Sequence, residues 1–252
     1  MNSRSRSSAT VLEPWVFGGL RVAPALRATG ALAVRWRAEG GEWVRPVVGP
    51  ADWRREWLEG TAPEAVWAVD FPPGADERAL AEAGAAGRVF ERAGGRILRR
   101  GAGAELRIAL AKCDRYLATP AGARAARWRW VPAQALPVGA LVVVARDDEF
   151  LAGVLASRWL EVWRRGLGCR LDVATVRHFP PPWAPDLPRG ALSREREERR
   201  DAVVRAWRAA GGGLADFDPE SFAAEELNAA VAAAYGWPAA IDDAAALQRL
   251  RC

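Results

Sequence analysis

Histidine, cysteine and lysine are scarce in this sequence. Its 252 residues include one histidine, one lysine (Lys112) and three widely separated cysteines, Cys113, Cys169 and Cys252. No Cys-x-x-Cys pair occurs, which argues against a zinc site and against a disulfide framework. A reducing cytoplasm is therefore the expected location of the protein.

Long hydrophobic runs are also missing. No stretch reaches the roughly 20 apolar residues that a transmembrane helix needs, so no contact with a membrane is predicted. Met1 to Thr10 is polar and rich in arginine and serine, and it lacks the apolar centre of a signal peptide. We expect residues 1–12 to form a flexible tail.

Arginine, by contrast, is abundant. Half of the residues are hydrophobic and 27% are charged, values typical of a globular protein. The formal net charge is +5, and nearly all of the positive charge is arginine. A GC-rich genome, which favours arginine and alanine codons, is one explanation. The planar guanidinium group also suits phosphates and guanine edges.

The apolar pattern predicts an α+β body with a mixed sheet and packed helices over residues 13–186. Leu32, Val34 and Trp36 alternate with small or basic residues before a Gly-Gly pair, which predicts the first strand of a β-hairpin. Further strands are predicted at 66–71, 116–118 and 128–131.

The run from Leu141 to Ala145 is continuously apolar and predicts a buried central strand. Asp147 and Asp148 follow it and are suited to cap a helix that continues to about Arg165. Residues 187–252 are predicted to form a separate, helical C-terminal region. There Ser193 can cap a helix, and Leu227, Val231 and Tyr235 share one helical face because they are four residues apart.

A search for a catalytic set finds little. Gly101-Ala-Gly-Ala104 follows an arginine-rich segment instead of an apolar strand, which favours a surface turn over a cofactor loop. Pro181-Pro182-Trp183 lacks the Asn or Asp that binds the exocyclic amine in methyltransferases acting on adenine. The acidic pair at Asp147 is explained by helix capping. No catalytic residue, metal or cofactor is therefore predicted for this chain.

What remains is a basic and aromatic stretch from Arg115 to His178. Arginine interleaved with aromatic residues suits nucleic acid, because it supplies charge for phosphates, donors for base edges and rings for stacking. The alternative is a solvated arginine-rich face over buried tryptophans. The candidate DNA-contacting residues are Arg115, Tyr116, Arg124, Arg127, Arg129, Arg158, Arg170, Arg177 and His178, with Trp128 and Trp130 as weaker candidates.

Six segments of the sequence stand in an order that is typical of one known family. The first to be recognised is Arg115-Tyr-Leu-Ala-Thr-Pro120, and the others are Trp67 to Phe71, Leu136 to Asp148, Leu155 to Arg170 with Trp163, His178 to Trp183, and Leu227 to Pro238. Together they cover about residues 45 to 250. They resemble segments of the large adenine-specific DNA methyltransferases of the type IIL restriction–methylation kind, in which the first of them reads R-Y-[IL]-A-T-P.

The resemblance implies a division of labour between two chains. In that family this region is the target-recognition domain with its trailing helices, and the catalytic domain that binds S-adenosylmethionine lies upstream. The resemblance therefore implies that this chain binds double-stranded DNA and works with a separate catalytic methyltransferase chain. Two family histidines are absent, one replaced by Leu160 and one lost at Arg124-Ala125-Ala126.

Three alternatives remain open from the sequence. The chain could be a complete enzyme with unrecognised motifs. It could be a non-functional remnant of a split gene. It could also be a general arginine-rich nucleic-acid-binding protein, which would show a steep salt dependence without preference among sequences.

Overall fold

The computed structural model describes residues 15–22, 26–54, 66–71, 77–92, 103–185, 187–188, 190–212, 222–238 and 240–251. Its fold is α+β, as the sequence pattern predicts. The expected tail, residues 1–12, lies outside the described residues. In the described part of the chain, no helix is both long enough and apolar enough to cross a lipid bilayer.

The elements are distributed over the whole described chain. The strands are β1 (Val16–Gly18), β2 (Arg27–Ala28), β3 (Val44–Val48), β4 (Trp67–Val69), β5 (Arg115–Pro120), β6 (Arg129–Pro132), β7 (Leu136–Pro137) and β8 (Leu141–Val144). The helices are α1 (Gly30–Gly40), α2 (Glu77–Glu82), α3 (Gly84–Arg92), α4 (Ala104–Leu110), α5 (Glu149–Ala156), α6 (Arg158–Gly166), α7 (Val173–His178), α8 (Arg194–Ala209), α9 (Phe222–Ala234) and α10 (Asp243–Leu250).

The strands form two four-stranded sheets. The first sheet has the order β1-β8-β5-β6, and each neighbouring pair is antiparallel. The second has the order β2-β4-β3-β7 and is mixed, because β3 and β7 pair in parallel. Only residues 138–140 separate β7 from β8, so the chain passes directly from one sheet to the other.

The first sheet is buried on both faces. Successive strand residues point to opposite faces, so Tyr116 and Val143 face one hydrophobic core, whereas Leu117 and Val142 face another. All four residues of β8 are buried. This arrangement explains the uninterrupted apolar run of β8 and confirms the prediction of a buried central strand.

The first core joins the second sheet to the N-terminal helices. The ring of Phe71 stacks on Trp43 with centroids 5.0 Å apart. Next to it in sequence, Asp70 is 4% exposed and pairs with Arg107 at 2.6 Å and with Arg45 at 3.3 Å. Burial lowers the pKa of Arg45, and the nearby Asp70 carboxylate opposes that change. These ion pairs connect β3, β4 and α4.

The second core joins the first sheet to the C-terminal helices. Leu227 and Val231 of α9 are fully buried in it and Tyr235 packs against it, which confirms that they share one face. Gly153 of α5 lies so close to α8 that a Cβ atom there would be 2.9 Å from Val203 Cγ1. This core includes residues on both sides of the domain boundary predicted between residues 186 and 187. The boundary itself stays a prediction.

One local prediction is wrong: α1 occupies the place of the first hairpin strand. The helix buries Ala33 and Trp36, three residues apart, while Leu32 and Val34 are 49% and 67% exposed. Gly41, with a φ of +51°, caps the end of this helix instead of closing a hairpin. The second predicted strand is present as β3, which pairs with β4.

The helix predicted from Asp147-Asp148 to about Arg165 is divided in two. Asp148 caps α5 as predicted, since its Oδ1 accepts from Phe150 N at 2.9 Å. Ser157 then adopts an extended conformation, with ψ of 160°, and separates α5 from α6. A side chain of α9 supplies the cap at the start of α6, because Asn228 Oδ1 accepts from Arg158 N at 2.8 Å.

Candidate nucleic-acid interface

Two loops meet at one end of the first sheet. Residues 121–128 join β5 to β6, and residues 167–172 join α6 to α7. The amide of Gly122 donates to the carbonyl of Leu171 at 2.7 Å. Because this hydrogen bond joins the two loops directly, they form one surface, which we call the loop end.

The loop end carries exposed arginines. Arg124, Arg127 and Arg170 are all exposed. Among the described residues, no carboxylate forms an ion pair with any of the three. Arg165, in the last turn of α6, is 73% exposed and lies 3.8 Å from Glu161. Guanidinium groups in such a setting can donate to phosphate oxygens or to base edges.

Tryptophans anchor the first loop to the body of the protein. Trp53 Nε1 donates to the carbonyl of Arg127 at 2.7 Å, and Trp128 Nε1 donates to the carbonyl of Leu155 at 2.9 Å. Trp128 is 2% exposed and Trp130 is 8% exposed. These two weaker candidates are therefore buried structural residues, and neither ring is available for stacking on a base.

Helix α7 extends the exposed basic surface beyond the loops. Asp172 caps it by accepting from Thr175 N at 2.8 Å. Arg177 and His178, in its last turn, are exposed. Arg177 Nη2 donates to the carbonyl of Val16 at 2.8 Å, which attaches the end of α7 to the edge strand β1. His178 Nδ1 lies 2.7 Å from the carbonyl of Ala174, an acceptor, so Nδ1 carries the proton in this geometry.

Arg115 and Tyr116 lie away from the loop end. Both are at the start of β5, whereas the loop end follows the last residue of that strand. Arg115 Nε donates to Asp147 at 2.7 Å, and its Nη2 lies 3.5 Å from Glu149. Tyr116 is fully buried and donates to the carbonyl of Ala135 at 3.0 Å, and burial raises the pKa of its phenol. Tyr116 is thus a core residue, and two carboxylates hold Arg115.

Arg158 and Arg129 also interact with other parts of the protein and lie outside the loop end. Arg158 Nη2 donates to the carbonyl of Ile241 at 3.1 Å, and its guanidinium lies 4.3 Å from the ring centroid of Trp159. It therefore joins α6 to the segment before α10. Arg129 lies on β6, opposite Ala118 of β5. It is half-buried and takes part in interactions within the protein. The loop end thus gathers only part of the predicted set.

A cleft lies at the opposite end of the first sheet, between the end of α4, the β8–α5 loop and α8. It has a volume of about 880 Å³. Its charged groups pair with one another: Arg208 contacts Glu149, and Arg200 Nη2 lies 3.9 Å from Asp148. Burial raises the pKa of the Cys113 thiol at its edge, which disfavours the reactive thiolate.

The carboxylates of this cleft serve as a helix cap and as ion-pair partners. Burial raises the pKa of Asp148, whose Oδ1 accepts from the first amides of α5. Within the described ranges, no group of three His, Cys, Asp or Glu side chains is placed to hold a metal ion. The charged groups of the cleft therefore connect the end of β8 to α5 and α8.

Arg164, in α6, bonds to both loops of the loop end and is absent from the DNA-contacting residues predicted from the sequence. Its Nη1 donates to the carbonyl of Cys169 at 3.1 Å, and its Nη2 donates to the carbonyl of Arg124 at 3.2 Å. Its Nε also donates to Glu161 at 3.0 Å. The sequence shows the positive charge of Arg164, but its bond to the carbonyl of Arg124, forty residues away, leaves no signal in a sequence.

Comparisons with known proteins identify the fold. No protein-family profile matches the sequence, and no curated protein is significantly similar to it. A solved structure with a similar fold is that of the type IIL restriction–modification enzyme MmeI in complex with DNA. The two share 17% sequence identity with a TM-score of 0.58, over 94% of this chain and 35% of the enzyme. This chain therefore spans about a third of the length of that enzyme.

Proposed function

We propose that this chain is the DNA-binding, target-recognition subunit or fragment of a site-specific adenine (N6) DNA methyltransferase in a restriction–modification or defence system. The observation that carries the proposal is the loop end, where Arg124, Arg127 and Arg170 project from two loops that are hydrogen-bonded to each other. The likeness in fold to MmeI, a restriction–modification enzyme solved with DNA, supports it.

In the proposed mechanism, this chain holds the duplex and a second chain performs the chemistry. Arg124, Arg127 and Arg170 contact phosphates and read base edges, and Arg177 and His178 extend the contact along the duplex. A separate catalytic methyltransferase chain in the cytoplasm flips an adenine out of the duplex and methylates its N6.

S-adenosylmethionine is assigned to that partner. Gly103, from the glycine-containing segment before α4, packs against Leu20, and a Cβ there would be 2.5 Å from Leu20 Cδ2. The absence of a side chain at Gly103 thus serves packing between two parts of this chain. A cofactor cradle needs instead a glycine that opens towards the ligand at the end of a strand.

A titration of short mixed-sequence duplexes tests the proposal. The chain is titrated alone and with the methyltransferase encoded nearest to it in the genome, over a series of salt concentrations. We expect binding at low salt, with an affinity that falls as salt rises. Replacing Arg124, Arg127 and Arg170 together by glutamine should weaken binding and reduce the slope of log K against log salt by about 0.9 for each lost phosphate contact.

The matched control replaces Arg88, Arg196 and Arg205 by glutamine, since these three arginines are exposed and lie outside the loop end. It changes the net charge equally and should bind nearly as well as wild type. Absence of any DNA binding at low salt, with and without the catalytic chain, would show that the proposed function is wrong. Methyl transfer from labelled S-adenosylmethionine by this chain alone would contradict the proposed division of labour.

The exposed arginines also favour a second candidate, a general nucleic-acid-binding protein. Selection of bound duplexes from a randomised pool, followed by sequencing, separates the two functions. Enrichment of a defined motif in the presence of the catalytic chain indicates target recognition. A pool that stays random, together with a steep salt slope, indicates general binding.

A further inference from the structure

One guanidinium group joins the two loops of the loop end. Nη1 of Arg164 donates to the carbonyl of Cys169 in one loop, and Nη2 donates to the carbonyl of Arg124 in the other. Glu161 fixes the guanidinium from behind, accepting from its Nε at 3.0 Å and from its Nη2 at 2.5 Å. With only 15% of its side chain exposed, Arg164 is a poor candidate for direct contact with a large partner.

The two carbonyls belong to the residues that matter most for the proposed interface. Arg124 itself provides one acceptor, and Cys169 directly precedes Arg170. The position of each backbone carbonyl sets where the neighbouring side chain starts. Arg164 therefore constrains the spacing between the Arg124 and Arg170 side chains.

Arginine is required for this arrangement because of its geometry. Its guanidinium presents five N–H donors in a fixed plane, which allows one side chain to bond a carboxylate and two carbonyls at once. Lysine carries the same charge on a single ammonium group and lacks this fork. A role that depends on charge alone would tolerate lysine at position 164, whereas a role in joining the loops would not.

We propose that Arg164 is a positioning residue for DNA recognition, which holds the two loops at a fixed separation without touching DNA. The proposal rests on the proposed function of the loop end. Pre-ordered loops lose less conformational entropy on binding than loops that must be ordered by the ligand. Fixed spacing also matches the fixed spacing of phosphates and base edges along a duplex.

The test combines amide hydrogen exchange on the free protein with DNA titration of the variants R164K and R164Q. The matched control for the exchange measurement alone is R165Q, because Arg165 is 73% exposed and reaches Glu161 only at 3.8 Å. We expect faster exchange in residues 121–128 and 167–172 for both Arg164 variants. DNA affinity for a short mixed-sequence duplex should fall about three- to tenfold, the cost of ordering the loops on binding.

Three further expectations separate positioning from direct contact. The salt slope of the Arg164 variants should stay at the wild-type value, because no phosphate contact is lost. R165Q should leave loop exchange unchanged. If R164Q does not fold, the double variant E161Q/R164Q removes the carboxylate that would otherwise be left without its partner, and it should show the same loop exchange and the same loss of affinity.

Each contrary result has a distinct meaning. Unchanged loop exchange shows that Arg164 does not join the loops. Wild-type affinity in R164K, or a salt slope reduced by one phosphate contact, shows that its charge acts directly. If the wild-type chain binds no DNA, the proposed function fails and the positioning role fails with it, while the exchange data still show whether Arg164 joins the loops.

Discussion

Nη2 of Arg158 lies 3.2 Å from Oδ1 of Asp243, so the first residue of α6 is joined to the first residue of α10. The same nitrogen donates to the carbonyl of Ile241. An arginine whose position in the sequence suggests a DNA contact is therefore bonded within the protein, to residues more than eighty positions away. Arg158 thus shows that an arginine can hold the fold together instead of contacting DNA, a difference that composition alone does not reveal.

Arg158→Ala should reduce stability and leave DNA binding unchanged. It removes a hydrogen bond, an ion pair and the stacking on Trp159, which we expect to lower the free energy of unfolding by about 1 kcal/mol. The effect is limited because the side chain is 46% exposed. Urea denaturation and duplex titration measure the two properties. Arg165→Ala is the control and should change stability little. Unchanged stability together with weaker DNA binding in Arg158→Ala would show that Arg158 contacts DNA and does not stabilise the fold.

Asp70→Ala should lower the stability of the protein far more than Arg158→Ala. Asp70 is nearly inaccessible and pairs with Arg107 and Arg45, whose side chains are only 13% and 24% exposed. Removing the carboxylate leaves two largely buried guanidinium groups without their partner, a change that costs about 3–5 kcal/mol in comparable buried pairs. Chemical denaturation measures it. Glu82→Ala removes the exposed pair with Arg78 and should have little effect. A similar result for both variants would contradict the structural role of Asp70.

Gly153→Val should disrupt the contact between α5 and the C-terminal helices. A Cβ at this position would lie 2.9 Å from Val203 Cγ1 and 3.2 Å from Trp207 Cβ, so a larger side chain overfills the core. We expect a loss of about 1–3 kcal/mol, measured by thermal unfolding, with Gly153→Ala intermediate. Ala209→Val, at an exposed position of α8, is the control. Wild-type stability in Gly153→Val would mean that the helices are not packed as described.

Asp148 and Glu149 should affect the pH dependence of stability in opposite directions. Burial raises the pKa of Asp148, so its contribution to stability is complete below the ordinary aspartate pKa of about 3.9 and decreases as the pH rises through the raised value. Asn at this position keeps an oxygen acceptor for the amides of α5 and does not titrate. We expect Asp148→Asn to gain stability relative to wild type as the pH rises through this acidic range.

Glu149→Gln provides the matched comparison. The hydrogen bond from Arg208, the main cause, lowers the pKa of Glu149. Its contribution is therefore complete above the ordinary glutamate pKa and is lost as the pH falls through the lowered value. Glu149→Gln should be less stable than wild type at neutral pH, and the difference should shrink in acid. Urea denaturation across the acidic range measures both variants, and parallel profiles would contradict both assignments.

Local rules account for what the sequence predicts correctly. The apolar run of β8, the cap at Asp148 and the cap at Ser193 each depend on residues that are adjacent in sequence, and all three are present. The helix α1 could not be predicted in this way. Its apolar residues satisfy the alternation of a strand, and packing of this segment against α3, fifty residues further on, favours the helix instead.

Prediction of the site from the sequence is limited in the same way, because contacts between distant residues decide it. A guanidinium or a phenol has the same donors whether its partner is a DNA phosphate or a carbonyl of the protein. Arg124, Arg127 and Arg170 remain exposed, whereas Tyr116 and Arg158 are bonded within the fold. Only the positions of partners distant in sequence separate these groups, and the bond from Arg164 to the carbonyl of Arg124, forty residues away, is of the same kind.

The hydrogen bond from Gly122 to Leu171 has a consequence for the exchange of loops between relatives. The two residues that it joins are encoded almost fifty codons apart, yet the bond fixes the position of one loop relative to the other. Recombination with a crossover between them would combine one loop with a foreign counterpart, and the bond would re-form only if that counterpart places its backbone in the same position. Under the proposed function, we therefore expect a DNA specificity to pass from one relative to another intact when both loops and α6, which carries Arg164, are transferred as a single block.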